Sequence, residues 1–472
     1  MNAFLYNVLK ILDFMMKWTL SVLFLIAVKV SMANVTLPSV FSDHMVLQQQ
    51  EEVKIWGWAS PNEVITISPS WTQEVYATKA DNQAHWELLL RTPAYGGPYS
   101  LKIVGNNAIL LEDILVGEVW LCSGQSNMEM SASWGIDNGD DAVAQAQQPQ
   151  IRFFNVPKKS ANTPQDNVPG HWEVCTPESM KTSSAVAYFF AKELGKELRG
   201  VPVGLIVSAW GGTPAEVWMP EETIESNSVI ASAANQLTPV VWGPVEPARA
   251  YNAMIHPLVG FGLAGTLWYQ GEANTGSQVY DKTLGSLIES WRALWKKNFP
   301  FYFVQIAPYQ YGEGNDNGVE IRDAQRRVLD QVSNTAMVVI SDVSPVDDIH
   351  PKDKKSVGER LAKVALKKHY TTIDGLVESP LFKQVTFNRN KAIISFRHAK
   401  GLYVKDKKSM FEIAGHDKKF FPATFVVQGE TIVVSSKKVK DPKYVRFAWG
   451  NTLQANVFNR ANLPASSFTT LR

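Results

Sequence analysis

The chain has 472 residues, 45% hydrophobic and 19% charged, with a formal net charge of +1. That length suits two or three domains at roughly 150 residues each, and the composition is that of an ordinary globular protein. So even a balance implies no basic surface for nucleic acid, and two cysteines without clustered histidines do not make a zinc site.

The N-terminus reads as an export signal. Lys17 precedes an apolar run over 18–28, and Ser31-Met32-Ala33 supplies small residues around a cleavage point after Ala33. The run is too short to span a bilayer comfortably. Met15 and Met16, just upstream of Lys17, offer a start closer to the signal. Residues 1–33 are therefore expected to be removed, an uncleaved membrane anchor being the alternative. The mature chain is expected to be secreted or periplasmic, with no stable membrane insertion.

Residues 34–112 hold short strand-like runs at 53–58, 64–67 and 99–104, punctuated by Pro61-Asn62 and Gly96-Gly97-Pro98. This is the pattern of a small β-sandwich. From 113 the pattern changes. Apolar strands at 114–122, 203–209, 265–269, 301–306 and 337–340 alternate with helix-like segments at 183–198, 282–295 and 354–368. Such alternation predicts an α/β domain over 113–370, a parallel sheet covered by helices on both faces. Residues 222–248 lack periodicity and read as an insertion over the active-site edge. Over 371–472 the helices stop, and runs at 392–396, 424–427 and 431–434 form a second β region.

Two loops carry chemistry. The apolar run 114–122 ends in Ser123-Gly124-Gln125-Ser126-Asn127, which places Ser126 at the carboxyl edge of a parallel sheet, where open α/β folds bind ligands. Asp347-Asp348-Ile349-His350-Pro351 follows the last parallel strand and precedes a helix. A nucleophile, a base and an acid to orient the base are the parts of a serine hydrolase. Cys122, at the end of the apolar run, reads as packed and a poor nucleophile. An oxidising compartment would permit it to pair with Cys175.

Gly124-Gln125-Ser126-Asn127-Met128, Trp210-Gly211-Gly212-Thr213, Trp268-Tyr269-Gln270-Gly271-Glu272 and Asp348-Ile349-His350-Pro351 occur in that order. On these four motifs the chain resembles the SGNH (GDSL-like) hydrolases, and within them the sialate O-acetylesterase family. The likeness continues into Phe411-Glu412-Ile413-Ala414-Gly415. The resemblance implies an SGNH-type three-layer α/β/α catalytic domain flanked by β-sandwich-like regions. It also implies a carbohydrate O-acetylesterase acting through an acyl-enzyme on Ser126, with His350 as base. Asp347 has the i−3 spacing of the wider superfamily and Asp348 the i−2 spacing of the subgroup; Asp347 is preferred. The oxyanion donors would be the backbone N–H groups of Ser126 and Gly212 and one side-chain amide. The superfamily's Gly-x-Asn-Asp block is absent, so Gln270 takes that place, with Asn274 as the fallback.

An O-acetylated sugar or glycan is the expected partner, with no metal or cofactor. An acetylxylan or other plant-glycan esterase would use the same scaffold and triad. A sialic acid would welcome an arginine, for which Arg249 and Arg322 are candidates. Glu272 raises glycoside hydrolysis, but a glycosidase has no need of the serine loop. A non-catalytic glycan-binding protein would not require Ser126, Gly212, Gln270 and His350 together.

Overall fold

The computed structural model describes residues 2–26 and 34–471. A helix covers Asn2–Ile26, with large apolar side chains between Phe4 and Met16 exposed. The expected cleavage point after Ala33 lies outside the described residues.

Alternating apolar residues make the N-terminal region a pair of antiparallel layers. Glu52–Trp58 pairs with His85–Arg91, burying every second residue. Val64–Pro69 lies between Tyr76–Lys79 and Gly96–Val104. Ile55, Leu90, Ile67 and Ile103 from the two layers share one core. Gly96–Val104 pairs with Ala108–Gly124, a continuous strand of 17 residues that leaves this region and becomes the central strand of the next. One strand thus runs through the expected boundary at 112.

The second sheet is ordered Thr335–Val338, Phe301–Val304, Gly265–Tyr269, Ala108–Gly124, Val203–Ala209, Gln148–Asn155, all parallel, with Trp172–Cys175 antiparallel at one edge. Successive side chains of a strand point to opposite faces. Val119 and Leu121 accordingly join a core with the helices Tyr280–Trp295 and Asn317–Gln331. Trp120 and Cys122 join another with Ala185–Glu197 and Lys354–Lys368. The result is the three-layer SGNH-type α/β fold. Cys122 and Cys175 are both buried free thiols. Burial raises the Cys175 thiol to about 12 and that of Cys122 further.

Register decides where the site falls. Gly124 stands opposite Ala209 on one side and Tyr269 on the other. Three loops therefore leave the sheet at one level: those after Gly124, Ala209 and Tyr269.

The helix Asn317–Gln331 was not anticipated from the sequence. It buries Arg322, Asp323, Gln325 and Arg326 beside Val319, Ile321, Ala324 and Val328, so charged residues interrupt its apolar face. Most of the polar groups are satisfied in place, Arg322 Nε excepted. Gln325 Nε2 donates to Gln270 O and Val304 O, and Arg322 donates to the carbonyls of Gly450 and Asn451. Those last bonds fasten the C-terminal β region, whose sheets keep a core of their own around Ile394, Phe411, Val445 and Phe468.

Candidate active site

The central strand stops because its last residue must be glycine. Gly124 has φ +136°, and a Cβ there would lie 2.2 Å from Tyr269 O. The chain turns, Gln125 N–H donates to Tyr269 O, and Ser126 opens the short helix Ser126–Glu129. As the first helical residue, Ser126 has no intrahelical acceptor for its N–H. His350 arrives from the segment after the last parallel strand. Its Nε2 lies 2.9 Å from Ser126 Oγ, across 224 residues of chain. The edge of Trp134 flanks the imidazole, with ring centroids 6.1 Å apart.

Neither expected acid hydrogen-bonds the ring. Asp347 is exposed and makes no hydrogen bond among the described residues. Asp348 folds into an Asx turn, its Oδ1 accepting from the backbone N–H of His350 at 2.8 Å. That turn spends the carboxylate on the main chain, though its charge still favours the imidazolium. Burial and the nearby Lys354 ammonium act the other way and hold His350 below the usual histidine value.

Gly211 N–H donates to Glu129 Oε2 at 2.7 Å, and Glu129 Oε1 is paired with Lys158. The next residue, Gly212, has φ +75° and carries the Trp242 indole against its Cα face. The Gly212 N–H has no acceptor among the described residues. The two candidate amides are committed elsewhere. Gln270 Nε2 donates to Thr213 O and Asn274 Oδ1, and its Oε1 accepts from Tyr280. Asn274 Nδ2 donates to Glu216 Oε2. Both are buried, behind the loops rather than at their surface.

Asn127 ties these loops together. It is fully buried, and its Nδ2 donates to Glu272 Oε1 at 2.6 Å and to Ile349 O at 2.9 Å. Its Oδ1 accepts from Lys354 Nζ at 2.6 Å. Burial pulls the Lys354 ammonium down to about 7, against the opposing charges of Glu272, Asp348 and Asp353. Burial likewise raises the Glu272 carboxyl above its ordinary value. The Glu272 carboxylate accepts from the Asn127 side-chain amide and from its own main-chain N–H.

Ser126, Gly212 and His350 line a cavity of about 720 Å³, walled by Trp134, Trp242, Leu237 and Val240. Much of that wall belongs to the aperiodic segment 222–248. A larger hollow of about 930 Å³ beside Lys192 and Arg199 contains none of these groups. Trp120 and Trp268 are core residues, and Trp210 is half-buried beside Trp242. Among the described residues, no cluster of three or more His, Cys, Asp or Glu side chains could hold a metal ion. The sequence reading missed Asn127, Glu129, Trp134, Trp242 and Lys354. Asn127 lay inside the serine motif, whereas Lys354 looked like any surface lysine of an amphipathic helix.

The family model described as "Carbohydrate esterase, sialic acid-specific acetylesterase" matches residues 116–367. The human sialate O-acetylesterase is 30% identical over 445 residues, covering 84% of each chain. The mouse enzyme is 30% identical over 441 residues, covering 80% of this chain and 81% of its own. A crystal structure of a carbohydrate acetylesterase from Xanthomonas citri superposes with a TM-score of 0.83 at 36% identity, covering 92% of this chain and 99% of that one.

Two expectations follow from the geometry. Asn127→Leu strands a buried ammonium and a buried carboxyl group, so it should lower the unfolding free energy by about 3–5 kcal/mol in urea titration. A loss under about 1 kcal/mol would mean the amide holds nothing together. The second concerns pH. A lowered His350 keeps its neutral, proton-accepting form into mildly acidic solution. The acid limb of kcat/KM for p-nitrophenyl acetate should therefore fall below the ordinary histidine value of 6.5. A limb above about 7 would contradict the buried setting of the ring.

Proposed function

Because the chain belongs to the sialic acid-specific acetylesterase family of carbohydrate esterases, we propose that it removes acetyl groups from sugar hydroxyls through an acyl-enzyme on Ser126. The observation that carries this reading is the 2.9 Å contact between Ser126 Oγ and His350 Nε2 at the cavity floor. His350 Nε2 takes the serine proton as Oγ attacks the acetyl carbonyl. The tetrahedral intermediate collapses, and His350 returns that proton to the departing sugar oxygen. Water then gives a proton to the same nitrogen as it attacks the acyl carbon, and acetate leaves as the C–Oγ bond breaks and His350 passes that proton to Ser126 Oγ. The N–H groups of Ser126 and Gly212, both open, face the developing oxyanion.

We assign the supporting acid to Asp348. Its turn fixes the backbone of His350, and its charge stabilises the imidazolium. The exposed Asp347 does neither. Asp348→Asn keeps an acceptor for the His350 N–H and loses only the charge. It should lower kcat by roughly tenfold for each unit of imidazolium stabilisation lost. Asp347→Asn should stay near wild type, and the opposite ranking would return the role to Asp347.

For the substrate, an acidic sugar is favoured by Arg249. This half-buried guanidinium has no hydrogen-bond or ion-pair partner among the described residues. It lines a cavity of about 530 Å³ with Ser160, Asn162, Trp210 and Trp242. Trp242 also walls the catalytic cavity, so the two spaces adjoin. A sugar carboxylate bound to Arg249 would orient the ester toward Ser126. Export before action is proposed from Lys17 and the apolar run that follows it.

Acetate release decides the function. The wild-type protein should deacetylate O-acetylated sialic acids faster than acetylated xylan fragments. Ser126→Ala should lose several orders of magnitude on both. Arg249→Met should lose kcat/KM on the sialic acids and leave p-nitrophenyl acetate unchanged. Equal losses on xylan fragments would contradict the acidic-sugar reading. A folded Ser126→Ala with near-normal turnover would end the mechanism.

A further inference from the structure

One carboxylate joins the serine to the loop that faces it. Glu129 closes the one-turn helix Ser126–Glu129, three residues after Ser126. Residues three apart lie on the same side of a helix. The Glu129 side chain is 18% exposed and lines the catalytic cavity with Ser126, Gly212 and His350. Its Oε2 accepts from Gly211 N–H at 2.7 Å, and its Oε1 pairs with Lys158 Nζ at 2.5 Å. Gly211 also lies against the serine. A Cβ there would stand 3.2 Å from Ser126 Cβ and 3.3 Å from Glu129 Oε2.

The loop is anchored at both ends. Trp210 N–H donates to Gly124 O at 3.1 Å, and Thr213 O accepts from Gln270 Nε2 at 3.3 Å. Between them stand Gly211 and Gly212, of the residue type with the widest choice of backbone conformation. Among the described residues, the bond to Glu129 is the one hydrogen bond that this pair makes. It holds the amide directly before the open N–H of Gly212. A bond to an ionised acceptor is roughly twice as strong as a neutral one. The ion pair with the half-exposed Lys158 contributes little by comparison.

We propose that Glu129 is a positioning residue: by holding the Gly211 N–H, it keeps the Gly212 N–H aimed at the acetyl carbonyl oxygen while Ser126 attacks. The inference rests on the acyl-enzyme reading of Ser126. Because Ser126 and Glu129 share one turn of helix, the serine and the donor loop move as one body. The charge that forms on the carbonyl oxygen then meets a dipole already in place, with no loop left to order. Glu129 acts through the loop and not on the acetyl group.

Glu129→Met and Glu129→Gln test this on p-nitrophenyl acetate, with kcat expressed per folded protein. The methionine keeps the length and removes the acceptor; the glutamine keeps an acceptor for Gly211 N–H and loses only the charge. Glu129→Met should lose at least about tenfold in kcat, toward the roughly 10²–10³ of a missing donor, with KM moved less than about threefold. Glu129→Gln should recover most of that loss, the remainder being the carboxylate charge that favours the His350 imidazolium. A smaller loss in Glu129→Met, or a loss confined to KM, would overturn the proposal. So would a Glu129→Gln as slow as Glu129→Met, because charge and not the hydrogen bond would then be what counts. A glutamate needed only for folding gives the first of these contrary results: a lower melting temperature with kcat per folded protein unchanged. Should Glu129→Met fail to fold, Glu129→Ser, too short to reach Gly211, replaces it under the same thresholds. Ser126→Ala measured alongside separates the two claims. An active Ser126→Ala defeats the acyl-enzyme reading, whereas an inactive Ser126→Ala beside a normal Glu129→Met defeats only the role of Glu129.

Discussion

The site depends on one buried amide. Asn127 hydrogen-bonds across 145, 222 and 227 residues of chain to Glu272, Ile349 and Lys354. It sits directly after Ser126, and its partners lie next to or near His350 and on the loop after Tyr269. Moving any of these loops breaks a bond to an amide that is itself fully buried. Such a network is costly when half satisfied and rigid when complete. The fold prepares it by register, since Gly124, Ala209 and Tyr269 end their strands at one level. The amide then fixes the loops that the strands deliver.

The same network sets the electrostatics. A lysine is buried beneath the serine, with Glu272 close enough to oppose the loss of its charge. Its field, together with burial, keeps His350 neutral and ready to accept a proton. Asp348 opposes that field without touching the ring. His350 is thus tuned by charges on both sides, rather than by one carboxylate hydrogen-bonded to Nδ1. Above the floor the cavity is aromatic. Trp134 lies roughly perpendicular to the His350 ring and Trp242 lies against Gly212, and both line the cavity with Ser126.

Much of this frame was legible in the sequence. The runs at 203–209 and 265–269 are strands with those bounds, because a strand buried on both faces is apolar throughout. The approach of Ser126 to His350 followed from both lying beyond strand ends of one sheet. Other features were hidden for identifiable reasons. The helix Asn317–Gln331 turns arginines and a glutamine inward beside Ile321, Ala324 and Val328, which masks the apolar period. The choice between Asp347 and Asp348 turns on a local hydrogen bond to the main chain, which spacing cannot rank. Gln270 comes straight off a strand end, as expected, but Tyr280, Thr213 and Asn274 are there to hold its amide. Trp242 lies in an aperiodic segment, and only its resting place on Gly212 gives it meaning.

Covalent trapping tests the central claim that Ser126 and His350 work as one unit. The folded protein would be treated with a small fluorophosphonate and the modified peptides read by mass spectrometry. One adduct is expected, on the peptide carrying Ser126, and its rate of formation should collapse in His350→Ala. Labelling at another residue, or an adduct on Ser126 that forms at the same rate without His350, would contradict the pairing on which the chemistry is built.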